Sequence, residues 1–241
     1  MASLAESADL EEARIRAAYA RRRLARDRRY SWFTSGHLFT VQHLERRVLA
    51  CLRAHGFADL QTRSILEVGC GNGHWLREFA KWGASPENLH GIELLEDRVA
   101  EARALCPAPF TIRQGNAAAL PIADGAMDIV LQATMMTSIS SASVRRQVAA
   151  EMLRVLKSDG LILWYDFYRD NPRNPDVRAV KREEIASLFP GCTIALERVT
   201  LAPPLARSLA PYSWIGCELL AKIPWLCTHY LGAIRKSPRA R

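Results

Sequence analysis

Nine residues constrain this chain more than any others. Ile65-Leu66-Glu67-Val68 is a short, mostly apolar run, and it ends in Gly69-Cys70-Gly71-Asn72-Gly73. An amphipathic stretch from Trp75 to Trp82 follows. Together these predict a strand that turns sharply into a helix. Glycine supplies the turn and lets a ligand approach the backbone. The free N–H groups at the start of the helix can receive a polar or anionic ligand group.

The pattern repeats downstream. Leu89 to Leu94, Phe110 to Gln114, Met127 to Leu131 and Leu161 to Tyr165 read as further strands. Helices are predicted over Glu96 to Leu105 and Ser143 to Leu156, with Ser158-Asp159-Gly160 as the turn into the fifth strand. Strands alternating with helices indicate βαβ units and a parallel sheet, and near-continuous apolar strands fit a sheet covered on both faces. Upstream, residues 9–29 read as an Arg-rich helix and 38–55 as an amphipathic one stopped by Gly56, with the aromatic stretch Tyr30 to Phe33 between them. Downstream come a polar loop from Arg169 to Asp176, a short helix from Arg182 to Phe189, and β character over Thr193 to Leu201 and Thr228 to Ile234. Between those last two strands lies an insertion rich in Pro, Leu and Trp, about 203–224. The expected organisation is a helical cap or lid over 1–61 and an α/β domain over 62–241.

Glu93 stands twenty residues after Gly73, at the tip of the second strand. A carboxylate there can accept both hydroxyls of a ribose. A dinucleotide fingerprint needs a third glycine at position 74, where this chain has His. The loop therefore suits a ligand without a pyrophosphate.

At this point a resemblance is plain. Ile65 to Leu76 resembles motif I of the class I S-adenosylmethionine (SAM)-dependent methyltransferases. Gly91-Ile92-Glu93-Leu94 resembles their ribose-binding strand, and Gln114-Gly115-Asn116-Ala117 their adenine-contacting segment, where Asp is commoner than Asn. Leu120-Pro121 with Met127 to Leu131 resembles the fourth-strand motif. Val155 to Gly160 resembles the turn before strand five, with Ser158 and Asp159 in place of Pro-Gly. The resemblance covers about 62–168 and thins out on either side.

It implies a Rossmann-like class I methyltransferase fold: a mostly parallel seven-stranded sheet with helices on both faces, an N-terminal helical cap and a helical insertion between the last two strands. It also implies SAM as cofactor and S-adenosylhomocysteine as product. Gly69, Gly71 and Gly73 would approach the amino acid moiety, Glu67 its ammonium end and Glu93 the ribose. Asn116 and Ala117 would face the adenine, Leu94 would wall it, and Gln132 would lie near the sulfonium. On the acceptor side, Asp166 and His37 are candidate bases, and Tyr165, Tyr212 and Trp214 are candidate pocket residues.

Composition sorts the partner classes. A chain of 241 residues, 49% hydrophobic and 24% charged, can bury a sizeable core without disulfides. Its net charge of +8 belongs to the ends. Residues 1–30 hold eight Arg against five acids, 222–241 hold five cations and no acid, and the body is neutral. A nucleic-acid enzyme usually shows a basic stripe over its working face, so a nucleic-acid partner is not expected. The absence of N/D-P-P-Y/F where Gln132 to Met135 stands also argues against adenine-N6 methylation of nucleic acid. Six Cys without a C-x-x-C spacing read as reduced thiols in a cytoplasmic protein, and the scattered His residues predict no metal site. Met1 to Asp9 does not read as a signal peptide, and Trp214 to Cys227 is broken by Glu218, Lys222 and Pro224, so no membrane span is expected. Contact of 201–227 with a membrane surface or a second subunit, as in a homodimer, stays open.

The leading expectation is methyl transfer to an oxygen or nitrogen of a small-molecule acceptor, such as a sugar or specialised metabolite. The alternatives are an RNA or protein methyltransferase docking through its basic ends, and a SAM-binding regulator without turnover.

Overall fold

The computed structural model describes residues 4–23, 31–170 and 176–237. Seven strands form one sheet: β1 Ile65–Val68, β2 Leu89–Glu93, β3 Thr111–Gln114, β4 Met127–Ala133, β5 Leu156–Phe167, β6 Cys192–Leu201 and β7 Cys227–Lys236. Their spatial order is β3-β2-β1-β4-β5-β7-β6. The β1, β2, β3, β4 and β5 pairings are parallel, and β7 runs antiparallel to both its neighbours. This is the doubly covered, mostly parallel sheet that the alternating pattern predicts.

Successive residues of a strand face opposite sides, so each apolar strand feeds two cores. Ile65, Ile129, Leu161 and Leu163 meet α2 (Ser35–Ala54), α3 (His74–Lys81) and α4 (Glu96–Leu105) on one face. Leu66, Val130, Ile162 and Trp164 meet α5 (Ala142–Val155) and α6 (Arg182–Leu188) on the other. Fully burying one such side chain contributes roughly 1.5–3 kcal/mol.

Two expectations need correction, and the helical insertion is found as expected. The first helix, α1, spans Leu4–Arg23, ahead of the predicted 9–29; residues 24–29 and Tyr30 lie outside the described residues, as do 171–175 of the polar loop and the tail from 238. Ser158-Asp159-Gly160 is a bulge within β5 and not a turn before it: Met127 pairs with Leu156 and Ile129 already with Leu161. Glycine is required there, because a Cβ at Gly160 would stand 2.9 Å from the Asp128 carbonyl oxygen. The insertion forms two short helices, α7 (Pro203–Leu209) and α8 (Trp214–Ala221), which pack on Phe39 of α2.

The β5–β7 seam buries a histidine. The His229 ring stacks on Tyr165 at 4.6 Å and 5°, and lies 3.8 Å from the Phe167 ring. Burial pulls its pKa down to about 3. A group whose pKa is depressed by folding refuses a proton that the unfolded chain accepts, so stability falls as pH drops below about 6.5. Between pH 7 and 5 this costs roughly 2 kcal/mol. Urea denaturation of a His229→Gln variant should therefore show about 2 kcal/mol less acid destabilisation over that interval than the parent chain. Equal slopes would mean that the imidazole is not held neutral.

Candidate functional site

The strand tips of β1, β2 and β4 meet at one end of the sheet. Gly69, Gly71 and Gly73 carry φ of +72°, +55° and +73°. Side chains rarely adopt that region. Space forbids them too: a Cβ on Gly69 would stand 2.5 Å from Met135 Cγ, and one on Gly73 2.6 Å from Cys106 Sγ. The Gly69 and Cys70 N–H groups donate to the Ile92 carbonyl at 2.8 and 3.0 Å, which fastens the loop to the tip of β2.

Glu93 completes the fastening. Its Oε2 accepts from Gly71 N–H at 2.8 Å, and its Oε1 from Leu95 N–H at 3.0 Å. An ionised carboxylate has about four acceptor sites, so each oxygen keeps capacity for one more donor. Glu67 behaves differently. It is buried in β1, and its Oε2 has no hydrogen-bond partner among the described residues. Burial drives its pKa well above the ordinary carboxylate range, opposed in part by a hydrogen bond from the Leu76 backbone.

A cleft opens beside these groups and encloses about 790 Å³ of space, part of it open to solvent. Gly69, Glu93, Leu94, Asn116 and Ala117 all line it. Asn116 makes an Asx turn, its Oδ1 accepting from Ala118 N–H at 2.9 Å.

The other wall of the cleft was not legible in the sequence. Glu11, Glu12, Ile15 and Tyr19 of α1 line it, as do Arg98, Thr134, Met135 and Ser138. α1 packs Ile15 against the second core and buries Ala18, and polar contacts fix it over the cleft. Glu11 accepts from Ser140 N–H at 2.6 Å, Arg14 donates to the Ser138 carbonyl, and Arg98 lies over the Tyr19 ring at 4.7 Å. Hydrophobic periodicity does not register those polar contacts. An acid pair on an Arg-rich helix reads as a solvated face.

The remaining candidates separate. Gln132 is fully buried in β4 and does not line the cleft; its Oε1 accepts from Met135 and Met136 N–H, both at 3.3 Å, and so shapes the loop that does. Asp166 is likewise fully buried, at the end of β5. It accepts from Thr137 Oγ1 at 2.7 Å, Thr137 N–H at 3.1 Å and Phe167 N–H at 2.9 Å. Burial raises its pKa to about 6. These bonds hold the loop after β4 and leave Asp166 off the cleft surface. Tyr165 is buried, its hydroxyl 2.9 Å from Thr200 Oγ1. His37 sits in the first turn of α2, its ring 5.4 Å from that of Trp32, and burial lowers its pKa. Tyr212 and Trp214 do not reach the cleft: Tyr212 is exposed on the insertion, and Trp214 packs edge-on against Phe39 at 5.8 Å. Among the described residues no cluster of three or more His, Cys, Asp or Glu is disposed to hold a metal.

Comparisons with known proteins bear on these features. Residues 65–160 match a family model described as a methyltransferase domain. The chain is 30% identical, over 53% of its length and 50% of the relative's, to a probable SAM-dependent methyltransferase of Mycolicibacterium smegmatis. It is 26% identical, over 65% and 58%, to a demethylmenaquinone methyltransferase of Lactococcus lactis. The chain spans about half the length of the curated relatives it matches. A SAM-dependent methyltransferase from Mesorhizobium loti shares the fold at a TM-score of 0.55 and 16% identity, covering 77% of this chain and 96% of that one.

The glycine geometry makes a direct prediction. Gly69→Ala forces a left-handed alanine into Met135 and should destabilise the protein by about 2 kcal/mol or more in urea titration. An unchanged midpoint would refute the loop geometry.

Proposed function

We propose, from the premise that residues 65–160 are a methyltransferase domain of the class I SAM-dependent superfamily, that this chain transfers a methyl group from SAM to an oxygen or nitrogen of a small-molecule acceptor. The carrying observation is the Glu93 carboxylate, set on the cleft wall by the glycine loop with acceptor capacity to spare. The residues present fit the cofactor. Glu93 matches a ribose diol. The buried oxygen of Glu67, without a partner among the described residues, matches an ammonium group, reached directly or through water. Leu94, Asn116 and Ala117 offer an apolar wall and a polar edge suited to adenine.

When bound, SAM supplies a methyl group already activated on a sulfonium. The chain supplies orientation, and alignment of nucleophile and methyl is a proximity effect. Gly69, Gly71 and Gly73 let the loop backbone approach the cofactor's amino acid end. Gln132 acts through the loop it shapes. α1 roofs the cleft and excludes water, so residues 1–61 act as a cap on the domain over 62–241. His37 is kept as the candidate base on the acceptor side: its ring lies beside Trp32, outside the lining of the cleft, and burial favours its neutral form. Asp166 is a positioning residue that fixes Thr137. A small acceptor accords with the neutral body of the chain. It also accords with the relative named for demethylmenaquinone. A sugar or specialised metabolite is the preferred class.

Calorimetry tests the assignment. SAM and S-adenosylhomocysteine should bind, and Glu93→Ala should weaken both by about tenfold or more through loss of hydrogen bonds to a charged group. His37→Ala should spare binding and lower kcat. Unchanged affinity in Glu93→Ala would sink the ribose assignment. SAM binding with no S-adenosylhomocysteine formed across a broad acceptor panel would point to a regulator instead.

A further inference from the structure

The insertion between β6 and β7 presents an outward face of unusual polarity. α8 buries Cys217 and Ala221 against the small core that contains Phe39 and Leu201. Its opposite side, at helical spacing, is Ile215, Leu219 and Lys222. Ile215 is 76% exposed and Leu219 57%, flanked by Tyr212 at 88% and Trp225 at 64%. A helix facing water normally turns polar residues outward. Of the eleven exposed large apolar side chains among the described residues, six fall within 203–226, so this is a patch and not scatter.

The unpaired charge of the insertion has one sign. Glu218 is the only acid in 203–226, and it turns toward α2, ion-paired with Arg46 and 3.2 Å from His43 Nδ1. Its charge is met by those side chains of α2, and its own side chain is one-third exposed. What remains at the rim is Arg207 and Lys222, both exposed.

The patch also has a definite place. β7 runs antiparallel to β5, with His229 opposite Phe167. The segment ahead of β7 therefore lies at the end of the sheet where β5 finishes, the end that holds the cleft. A two-fold dimer through this face would set two rims whose unpaired charges are cationic against each other. An anionic lipid surface meets both needs at once: it buries Trp, Tyr and aliphatic side chains at the headgroup boundary and neutralises the cations.

We propose that this face docks the protein on an anionic bilayer surface, with Tyr212, Ile215, Leu219 and Trp225 entering the headgroup boundary and Arg207 and Lys222 meeting lipid phosphates. No helix among the described residues is long and apolar enough to cross a membrane, so the contact is peripheral.

Sedimentation of the full chain with vesicles tests this. The protein should pellet with vesicles of equal parts phosphatidylcholine and phosphatidylglycerol, and less with phosphatidylcholine alone. Raised salt should weaken the binding. The double variant Ile215→Ser with Leu219→Ser should partition about tenfold less or weaker still. Arg207→Glu with Lys222→Glu should abolish the preference for anionic lipid. Both pairs are at exposed positions, and an unchanged circular dichroism melt shows that each variant is folded. Pelleting of the apolar double variant equal to the parent overturns the proposal, as does failure of the parent to pellet with either vesicle. So does a dimer in analytical ultracentrifugation that the apolar double variant dissociates, which would make the face a contact between copies.

Discussion

The Glu93 carboxylate accepts one backbone N–H from the loop after β1 and one from the segment after β2. Those bonds join two crossovers that approach each other only because β1 and β2 are parallel neighbours. The Ile92 carbonyl adds two more bonds from Gly69 and Cys70. The left-handed glycines follow from this demand, since the loop must bring three N–H groups onto one strand tip within a few residues. A carboxylate so anchored loses little side-chain freedom when it binds a further donor, because that entropy is lost on folding.

The wall facing Glu93 rests on a different kind of bonding. The segment 134–141 has little regular structure, and side chains satisfy its backbone. Gln132 takes Met135 and Met136 N–H, Asp166 takes Thr137 N–H, Arg145 donates to the Ile139 carbonyl at 2.7 Å, and Glu11 takes Ser140 N–H. Three of these four side chains are fully buried. Removing a buried partner leaves a backbone group unsatisfied, which costs about 1–3 kcal/mol. The fourth, Glu11, belongs to α1. The roof of the cleft thus also supplies a hydrogen bond that its floor requires, and opening the roof exposes that N–H to water.

This division explains what the sequence disclosed. Apolar periodicity located every strand and the sheet-covering helices, because burial of apolar area is what forms them. Glycines and the strand-tip acid located one wall of the cleft, because backbone conformation restricts residue choice there. Gln132 and Asp166 also drew notice, and both satisfy the loop after β4: a buried polar side chain satisfying a loop looks, in sequence, like one aimed at a ligand. Glu11 and Tyr19 were illegible: α1 packs Ile15 inward and buries Ala18, but the polar contacts that set Glu11 and Tyr19 on the cleft match no period. Ser158-Asp159-Gly160 read as a turn because a bulge and a turn use the same residues.

Glu67 and Glu93 are two carboxylates near one loop with opposite circumstances. Glu93 receives amide N–H groups on both oxygens. Glu67 is enclosed, has one oxygen unpartnered among the described residues, and is raised further by the neighbouring charge of Glu93. A carboxyl whose pKa is raised by enclosure holds its proton until a cation arrives to replace it. Entry of an ammonium group would supply the missing partner and favour the ionised form. Binding of a cationic ligand would then release a proton from this site and tighten as pH rises. A neutral ligand of the same shape would leave Glu67 protonated and its affinity level with pH. On the proposed reading, the buried acid beneath the glycine loop would favour a cationic ligand group there, while Glu93 on the cleft wall would favour paired hydroxyls.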